Sequence, residues 1–147
     1  MKSTDAVHTY ASEPRTTSPS LLTKVLGLSS LAAIIGVHWL DLPGKLAETP
    51  YLGYAYIALM VGSALAGVLI LQQSRQGWRL GAALALGAVV AYTLSRTTGL
   101  PYAMHDIGNW GEPLGVASLV AEGVMVATSY AALNRAEKPE EDSLETW

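Results

Sequence analysis

The segment YLGYAYIALMVGSALAGVLIL, residues 51–71, decides the fold class of this chain. It contains no charged residue over 21 positions, and a helix of that length crosses the ~30 Å hydrocarbon core of a bilayer. The cluster of tyrosines at its start is typical of a span that begins at the membrane interface. The segment therefore predicts a transmembrane helix in an integral membrane protein.

Three further segments have the length and composition of membrane spans. Together with the first they predict four transmembrane helices, at residues 21–40, 51–71, 78–95 and 114–133. We expect an all-α fold in which a four-transmembrane-helix antiparallel bundle occupies residues 21–134, with a long ordered outer loop between helices 3 and 4. A cleaved signal peptide is the alternative for residues 21–40, although no A-x-A site follows this segment cleanly.

The two ends of the chain have the composition of solvated tails. Residues 1–20 are rich in Ser, Thr and Pro and lack a continuous apolar run, which predicts a mobile N-terminal tail. Residues 135–147 carry a run of carboxylates, which predicts an acidic C-terminal tail. The charges of this chain therefore concentrate outside the helical region.

The composition excludes several classes of protein. Half of the 147 residues are hydrophobic and only 14% are charged, against about 25% in soluble domains. The formal net charge of −3 gives no support for nucleic-acid binding, and the absence of cysteine excludes disulfides and thiolate metal sites. We expect the partners to be the lipid bilayer and either further copies of this chain or a larger membrane complex, with no nucleic acid.

The distribution of Lys and Arg predicts the orientation in the cell membrane. Lys45 and Arg96 fall on one side of the predicted spans. Seven others share the opposite side: Lys2, Arg15, Lys24, Arg75, Arg79, Arg135 and Lys138. Because positive residues concentrate on the cytoplasmic side, we expect a multi-pass protein whose N- and C-termini are both cytoplasmic.

Small residues recur at four-residue spacing within the spans. There are three such stripes: Ala58, Gly62 and Ala66; Gly77, Gly81 and Ala85; Ala83, Gly87 and Ala91. In a membrane, small residues allow helix backbones to approach closely. The stripes are typical both of a compact bundle and of a homo-oligomer.

The segment between the third and fourth spans, RTTGLPYAMHDIGNWGEP at residues 96–113, is longer than a simple hairpin needs. Its three glycines and two prolines favour fixed turns, and loops of this length often carry function. The ionisable residues of the segment are Arg96, His105, Asp106 and Glu112.

Arg96 follows Tyr92 by one helical turn, so the two side chains are expected on one face of the third helix. A guanidinium binds a carboxylate through two parallel hydrogen bonds. Its candidate partners are Glu112, Asp106 and Glu122. Arg96 either holds an anionic ligand or fastens the loop to the helices.

Glu122 is the only carboxylate in the middle of a predicted span. An unpaired carboxylate at this depth is costly, so we expect it to be paired or protonated. Helical spacing puts mostly small and polar residues on its face, which predicts that the face points into the bundle. Glu122 is either a ligand-binding or proton-carrying group, or a structural group bonded to a neighbouring helix or to Arg96.

Two histidines are expected on the outer side, His38 at the end of the first span and His105 in the long loop. With Glu122, Asp106 or Asp41 they would form a chemically reasonable nitrogen and oxygen site for zinc or copper. The spacing of these residues is not diagnostic of a metal site. The alternative is that each imidazole only makes hydrogen bonds at the membrane interface.

The stretch SRTTGLPYAMHDIGNWGEPLGVASLVAE, residues 95–122, resembles a pattern of small uncharacterised four-helix bacterial integral membrane proteins. The shared pattern is S-R-T-x-G-L-P, then W-x-E-P-L-G, then S-L-x-x-E. The resemblance implies a helical membrane protein and carries no activity or cofactor with it. The matching positions are Arg96, Pro101, Trp110, Glu112, Pro113 and Glu122.

These observations predict a membrane protein that is not an enzyme, because the chain has no glycine-rich phosphate loop, nucleophile elbow or zinc-protease motif. Its leading function is an outer-side polar pocket that binds a small ligand, an ion or a lipid-like cofactor. An accessory subunit of a larger membrane complex and a small proton- or cation-coupled carrier are the alternatives. The predicted pocket residues are His38, Tyr92, Arg96, His105, Asp106, Glu112 and Glu122.

Overall fold

The computed structural model describes residues 18–135, and this part of the chain is entirely helical apart from its turns. Its α-helices are α1 (Leu21–Glu48), α2 (Pro50–Leu71), α3 (Arg75–Thr97) and α4 (Pro113–Arg135), with a short 3₁₀ turn at Met104–Asp106. Each of the four α-helices is long and apolar enough to cross a membrane. The prediction of an all-α protein with four candidate spans is therefore confirmed. The tails predicted at residues 1–20 and 135–147 lie outside the described residues, except for residues 18–20 and 135.

Helix α1 is longer than the sequence pattern predicts, because it continues past Leu40 to Glu48. Its 28 residues span about 42 Å at 1.5 Å per residue, which exceeds the ~30 Å hydrocarbon core. The last turns of α1 therefore extend beyond the hydrocarbon core, where polar residues are tolerated. The helix continues through Pro43, which lies inside these turns. Lys45 in this extension is buried, because it reaches Asp106 of the α3–α4 loop.

Helix α3 also begins earlier than predicted, at Arg75 instead of residue 78. Ser74 caps it, since the Ser74 side chain accepts a hydrogen bond from the backbone N–H of Gln76 at 3.2 Å. The turn before it includes Gln73 in the left-handed region, with φ of 61°. Lys24 of α1 donates a hydrogen bond to the Gln73 side chain at 2.5 Å, which ties this turn to the start of α1.

The four α-helices pack in a ring, in which α1 and α3 each contact both α2 and α4. A buried apolar core joins all four helices at the end of the bundle near the α2–α3 turn. Most large apolar side chains outside this core are exposed, as expected for helix faces that contact lipid. The core residues are Leu31, Ile34, Ala66, Ile70, Trp78, Ala85, Ala121, Met125 and Ala132.

Small residues produce the closest helix contacts in this core. A Cβ atom at Gly77 would lie 2.6 Å from the backbone nitrogen of Ile70 and 2.8 Å from the carbonyl oxygen of Ala66. Gly27 is covered by the ring of Trp78, whose nearest carbon would be 2.6 Å from an added Cβ. The stripe that contains Gly77 is thus used for packing within the chain.

Gly77→Ala is expected to destabilise the protein by about 1–3 kcal/mol, because the added Cβ meets backbone atoms that cannot rotate away. The matched control is Gly36→Ala, since a Cβ at Gly36 meets nothing within 4 Å. Alanine is the better helix former by roughly 1 kcal/mol, so Gly36→Ala should leave stability unchanged or raised. Unfolding in mixed detergent micelles, followed by circular dichroism, measures both. Equal stability of the two variants would contradict the close contact at Gly77.

Candidate functional site

A cavity of about 420 Å³ lies among the four helices. Helix α1 lines it from Val37 to Lys45, whereas Leu31 and Ile34 of the same helix belong to the packed core. On α4 the lining runs from Leu114 to Glu122, and Met125, one turn further, is again core. The bundle is therefore filled at one end and hollow at the other.

The apolar wall of the cavity consists mainly of small residues on α2 and α3. Five of these small residues are exposed, whereas the lining residues of α1 and α4 are buried or half-buried. Where two helices are not in close contact, alanine and glycine are too small to fill the space between them. The cavity therefore opens on the α2–α3 side. The exposed lining residues are Ala55, Ala58, Ala83, Gly87 and Ala91.

An ion-pair network closes the polar end of the cavity. The Arg96 guanidinium pairs through Nη1 with Asp106 at 3.1 Å and through Nη2 with Glu112. Asp106 also lies 3.6 Å from Nζ of Lys45, so α1, α3 and the α3–α4 loop are joined through one carboxylate. The Arg96 guanidinium lies 4.7 Å from the centre of the Tyr92 ring, a cation–π distance.

The α3–α4 loop is shaped so that Asp106 reaches this network. Gly99 and Gly108 both have φ of +78°, a conformation that side chains disfavour. The N–H of Gly108 donates to the carbonyl of Arg96 at 2.9 Å, which returns the loop to the end of α3. The Tyr51 hydroxyl donates to the carbonyl of Pro101 at 2.8 Å and so fastens the loop to α2.

Glu122 lies at the boundary between the cavity and the core. Its side chain lines the cavity, yet the residue is only 1% exposed. Oε1 accepts a hydrogen bond from the Ser118 hydroxyl, one turn earlier on α4, at 2.6 Å. Oε2 is buried and has no hydrogen-bond partner in the described part of the chain. A buried carboxyl oxygen without a partner is energetically costly, which makes Oε2 a candidate ligand-binding atom.

His38 and Tyr56 form a second polar group on the cavity wall. Nδ1 of His38 lies 2.9 Å from the carbonyl oxygen of Ile34. Because a carbonyl oxygen only accepts, Nδ1 carries a hydrogen and donates it to Ile34. The Tyr56 ring packs edge-on against His38 at 4.6 Å, and its hydroxyl donates to Asp41 at 3.0 Å.

Six of the seven predicted pocket residues line this one cavity: His38, Tyr92, Arg96, Asp106, Glu112 and Glu122. The seventh, His105, is exposed in the loop, with Nε2 3.7 Å from carboxylate oxygens of Glu48 and Asp106. The structure therefore does not bring the candidate metal ligands His38, His105 and Glu122 together. Within residues 18–135, no three His, Asp or Glu side chains are grouped so that they could hold a metal ion.

The cavity is also lined by five polar residues outside the predicted pocket set: Asp41, Lys45, Tyr56, Ser95 and Ser118. Lys45 follows His38 and Asp41 at the three- and four-residue spacing of one helix face. Once α1 is extended beyond Leu40, that spacing predicts that Lys45 lies on the same helix face as His38 and Asp41. Tyr56 belongs to the tyrosine cluster of α2, which the sequence pattern assigns to the membrane interface.

No family model, curated protein or solved structure matches the chain. The chemistry of the cavity must therefore be judged from its own residues. The cavity combines a mostly apolar wall, one closed ion-pair network and one carboxyl group with an unpartnered oxygen. This arrangement can hold a molecule that has both an apolar part and a polar group.

Arg96→Met is expected to destabilise the protein by about 3–5 kcal/mol, because it leaves the carboxylates of Asp106 and Glu112 without their guanidinium. Arg79→Met is the matched control on the same helix, since Arg79 is exposed. Unfolding in mixed detergent micelles measures the difference between the two variants. An Arg96→Met protein as stable as Arg79→Met would show that the network does not stabilise the bundle.

Proposed function

We propose that this chain is a non-enzymatic, multi-pass protein of the cell membrane whose cavity binds a small amphipathic molecule. In this proposal the helices form an antiparallel bundle, both termini are cytoplasmic, and the α3–α4 loop covers the outer side. The excess of Lys and Arg in the tails and the α2–α3 turn supports that orientation. The resemblance of residues 95–122 to small four-helix bacterial membrane proteins agrees with it.

The size and lining of the cavity support a small molecule as the ligand. A volume of about 420 Å³ lies within the range of about 300–1,000 Å³ of small-molecule sites. Such sites are mostly apolar and contain a few polar groups that orient the ligand. The alanine and glycine wall suits a hydrocarbon or ring system, which favours a lipid-like ligand over a bare ion.

The single observation that carries the proposal is the buried Oε2 atom of Glu122. It is the unpartnered atom of a carboxyl group that lines the cavity, while the Ser118 hydroxyl occupies the other oxygen. A ligand that donated a hydrogen bond to Oε2 would offset the cost of burying it. The cavity therefore has both a space for the apolar part of a ligand and an anchor for its polar part.

Filling the cavity is expected to abolish binding. We would photolabel the protein in membranes with three amphiphiles of equal chain length, decylamine, 1-decanol and decanoate, each with a diazirine at the chain end. At least one should label the wild type saturably, and Gly87→Leu should remove that labelling because the new side chain occupies the cavity. Gly36→Leu is the matched control, since Gly36 lies outside the lining and a Cβ there meets nothing within 4 Å.

The proposal is wrong if none of the three amphiphiles labels the wild type saturably. It is equally wrong if Gly87→Leu is labelled as strongly as Gly36→Leu, because the labelled site would then lie outside the cavity. Intact-protein mass spectrometry measures the labelled fraction in each case. An excess of the unlabelled amphiphile identifies the saturable component.

Glu122→Gln distinguishes binding from an accessory, purely structural role. Glutamine keeps an oxygen that can accept from Ser118, so a binding role predicts a folded variant with an altered ligand and an unchanged midpoint of thermal unfolding. A purely structural role predicts loss of expression or assembly. The alternative of a proton- or cation-coupled carrier would be contradicted by a flux in liposomes that does not depend on pH and that Glu122→Gln leaves unchanged.

A further inference from the structure

We propose that the cavity selects a hydrophobic organic cation, an amphiphile with an ammonium group, which enters from the bilayer between α2 and α3 and pairs with Glu122. This inference rests on the proposed function, because it names the class of ligand for the same cavity. Three observations carry it: the balance of charges in the lining, the acceptor atoms of the cavity wall, and the side on which the cavity opens.

The charges of the lining are unbalanced. Its acidic residues are Asp41, Asp106, Glu112 and Glu122, and its basic residues are Lys45 and Arg96. The two cations already have partners at the polar end, because Lys45 lies beside Asp106 and Arg96 pairs through Nη1 and Nη2 with Asp106 and Glu112, while Nε of Arg96 has no hydrogen-bond partner in the described chain. An additional positive charge is therefore what the lining lacks.

Asp41 and Glu122 are the two acidic lining residues outside the ion-pair network, and of these two only Glu122 has a buried oxygen without a hydrogen-bond partner in the described chain. Asp41 accepts a hydrogen bond from the Tyr56 hydroxyl. Asp106 and Glu112 both pair with the Arg96 guanidinium. In the part of the chain that the structure describes, no Lys or Arg forms an ion pair with Glu122. A buried carboxylate needs a counter-charge, and an ammonium group in the cavity would supply it.

The Ser118 hydroxyl donates to Oε1 of Glu122, which leaves Oε2 as the unpartnered acceptor of the carboxylate. A neutral His38 ring, whose Nδ1 donates to the carbonyl of Ile34, would add Nε2 to the cavity wall as a second acceptor. An ammonium group carries only donors, whereas a carboxylate or phosphate group carries acceptors and would meet these acceptors unfavourably.

The opening indicates how such a molecule reaches the carboxylate. The exposed lining residues on α2 and α3 lie on helices that are apolar enough to cross a membrane, so the gap between them faces hydrocarbon. An amphiphile that is already dissolved in the bilayer can pass the small side chains of Ala58 and Gly87. Its chain then contacts the apolar wall while its ammonium group reaches Glu122.

The test compares the three diazirine amphiphiles at neutral pH, where decylamine is cationic, decanoate is anionic and 1-decanol is neutral. On the wild type, decylamine should reach half-maximal labelling at a concentration about thirtyfold lower than the other two amphiphiles. This factor corresponds to the lower end of the affinity loss observed when one partner of a buried charge pair is removed. Glu122→Gln should remove this preference. Glu48→Gln is the control, since it removes an exposed carboxylate of α1 that does not line the cavity.

The comparison on the wild type needs no variant, so the inference stays testable if Glu122→Gln fails to fold. Saturable labelling by 1-decanol or decanoate at the same concentration as decylamine would overturn the cation proposal. If Gly87→Leu still abolished that labelling, the proposed binding function would stand. A preference for decylamine that survived Glu122→Gln would also overturn the cation proposal. The absence of saturable labelling by all three amphiphiles would overturn both the cation proposal and the proposed binding function.

Discussion

Glu122 places a carboxyl group inside the bundle, and the groups around it must offset the cost of burying it. Glu122 is 1% exposed and only one of its oxygens is satisfied within the described chain. Transfer of a carboxylate from water to such surroundings is strongly unfavourable unless a proton, a cation or a hydrogen-bond donor accompanies it. The arrangement of the helices leaves a cavity beside this group, where a well-packed bundle would place an apolar side chain.

Small residues serve two opposite purposes in the bundle. Near the α2–α3 turn, Gly77 and Gly27 allow backbone and ring to approach so closely that no space remains. In the other half, Ala58 and Gly87 face a gap that they are too small to fill. Apolar packing therefore joins the helices at one end, and at the other end the ion pairs of Arg96 and Lys45 join α1, α3 and the α3–α4 loop above the cavity.

The sequence predicts the number and type of the helices well, because spans of about 20 apolar residues have few alternatives in a membrane. It also identifies Arg96, Asp106 and Glu122, since ionisable residues in or beside apolar spans stand out. The sequence does not predict that α1 continues to Glu48, because the polar turns after Leu40 have the composition of a loop until their partners are known. Lys45 is buried only because Asp106, distant in the sequence, folds back onto it.

An infrared difference spectrum of the protein with and without bound decylamine tests whether the ligand reaches Glu122. If the Glu122 carboxyl contacts the ligand, the spectrum should contain a carboxyl band that is absent from the corresponding spectrum of Glu122→Gln. A wild-type spectrum without a carboxyl band, or a band that persists in Glu122→Gln, would mean that the ligand does not reach this group. In that event Glu122 would be a structural residue, and the cavity would need another explanation.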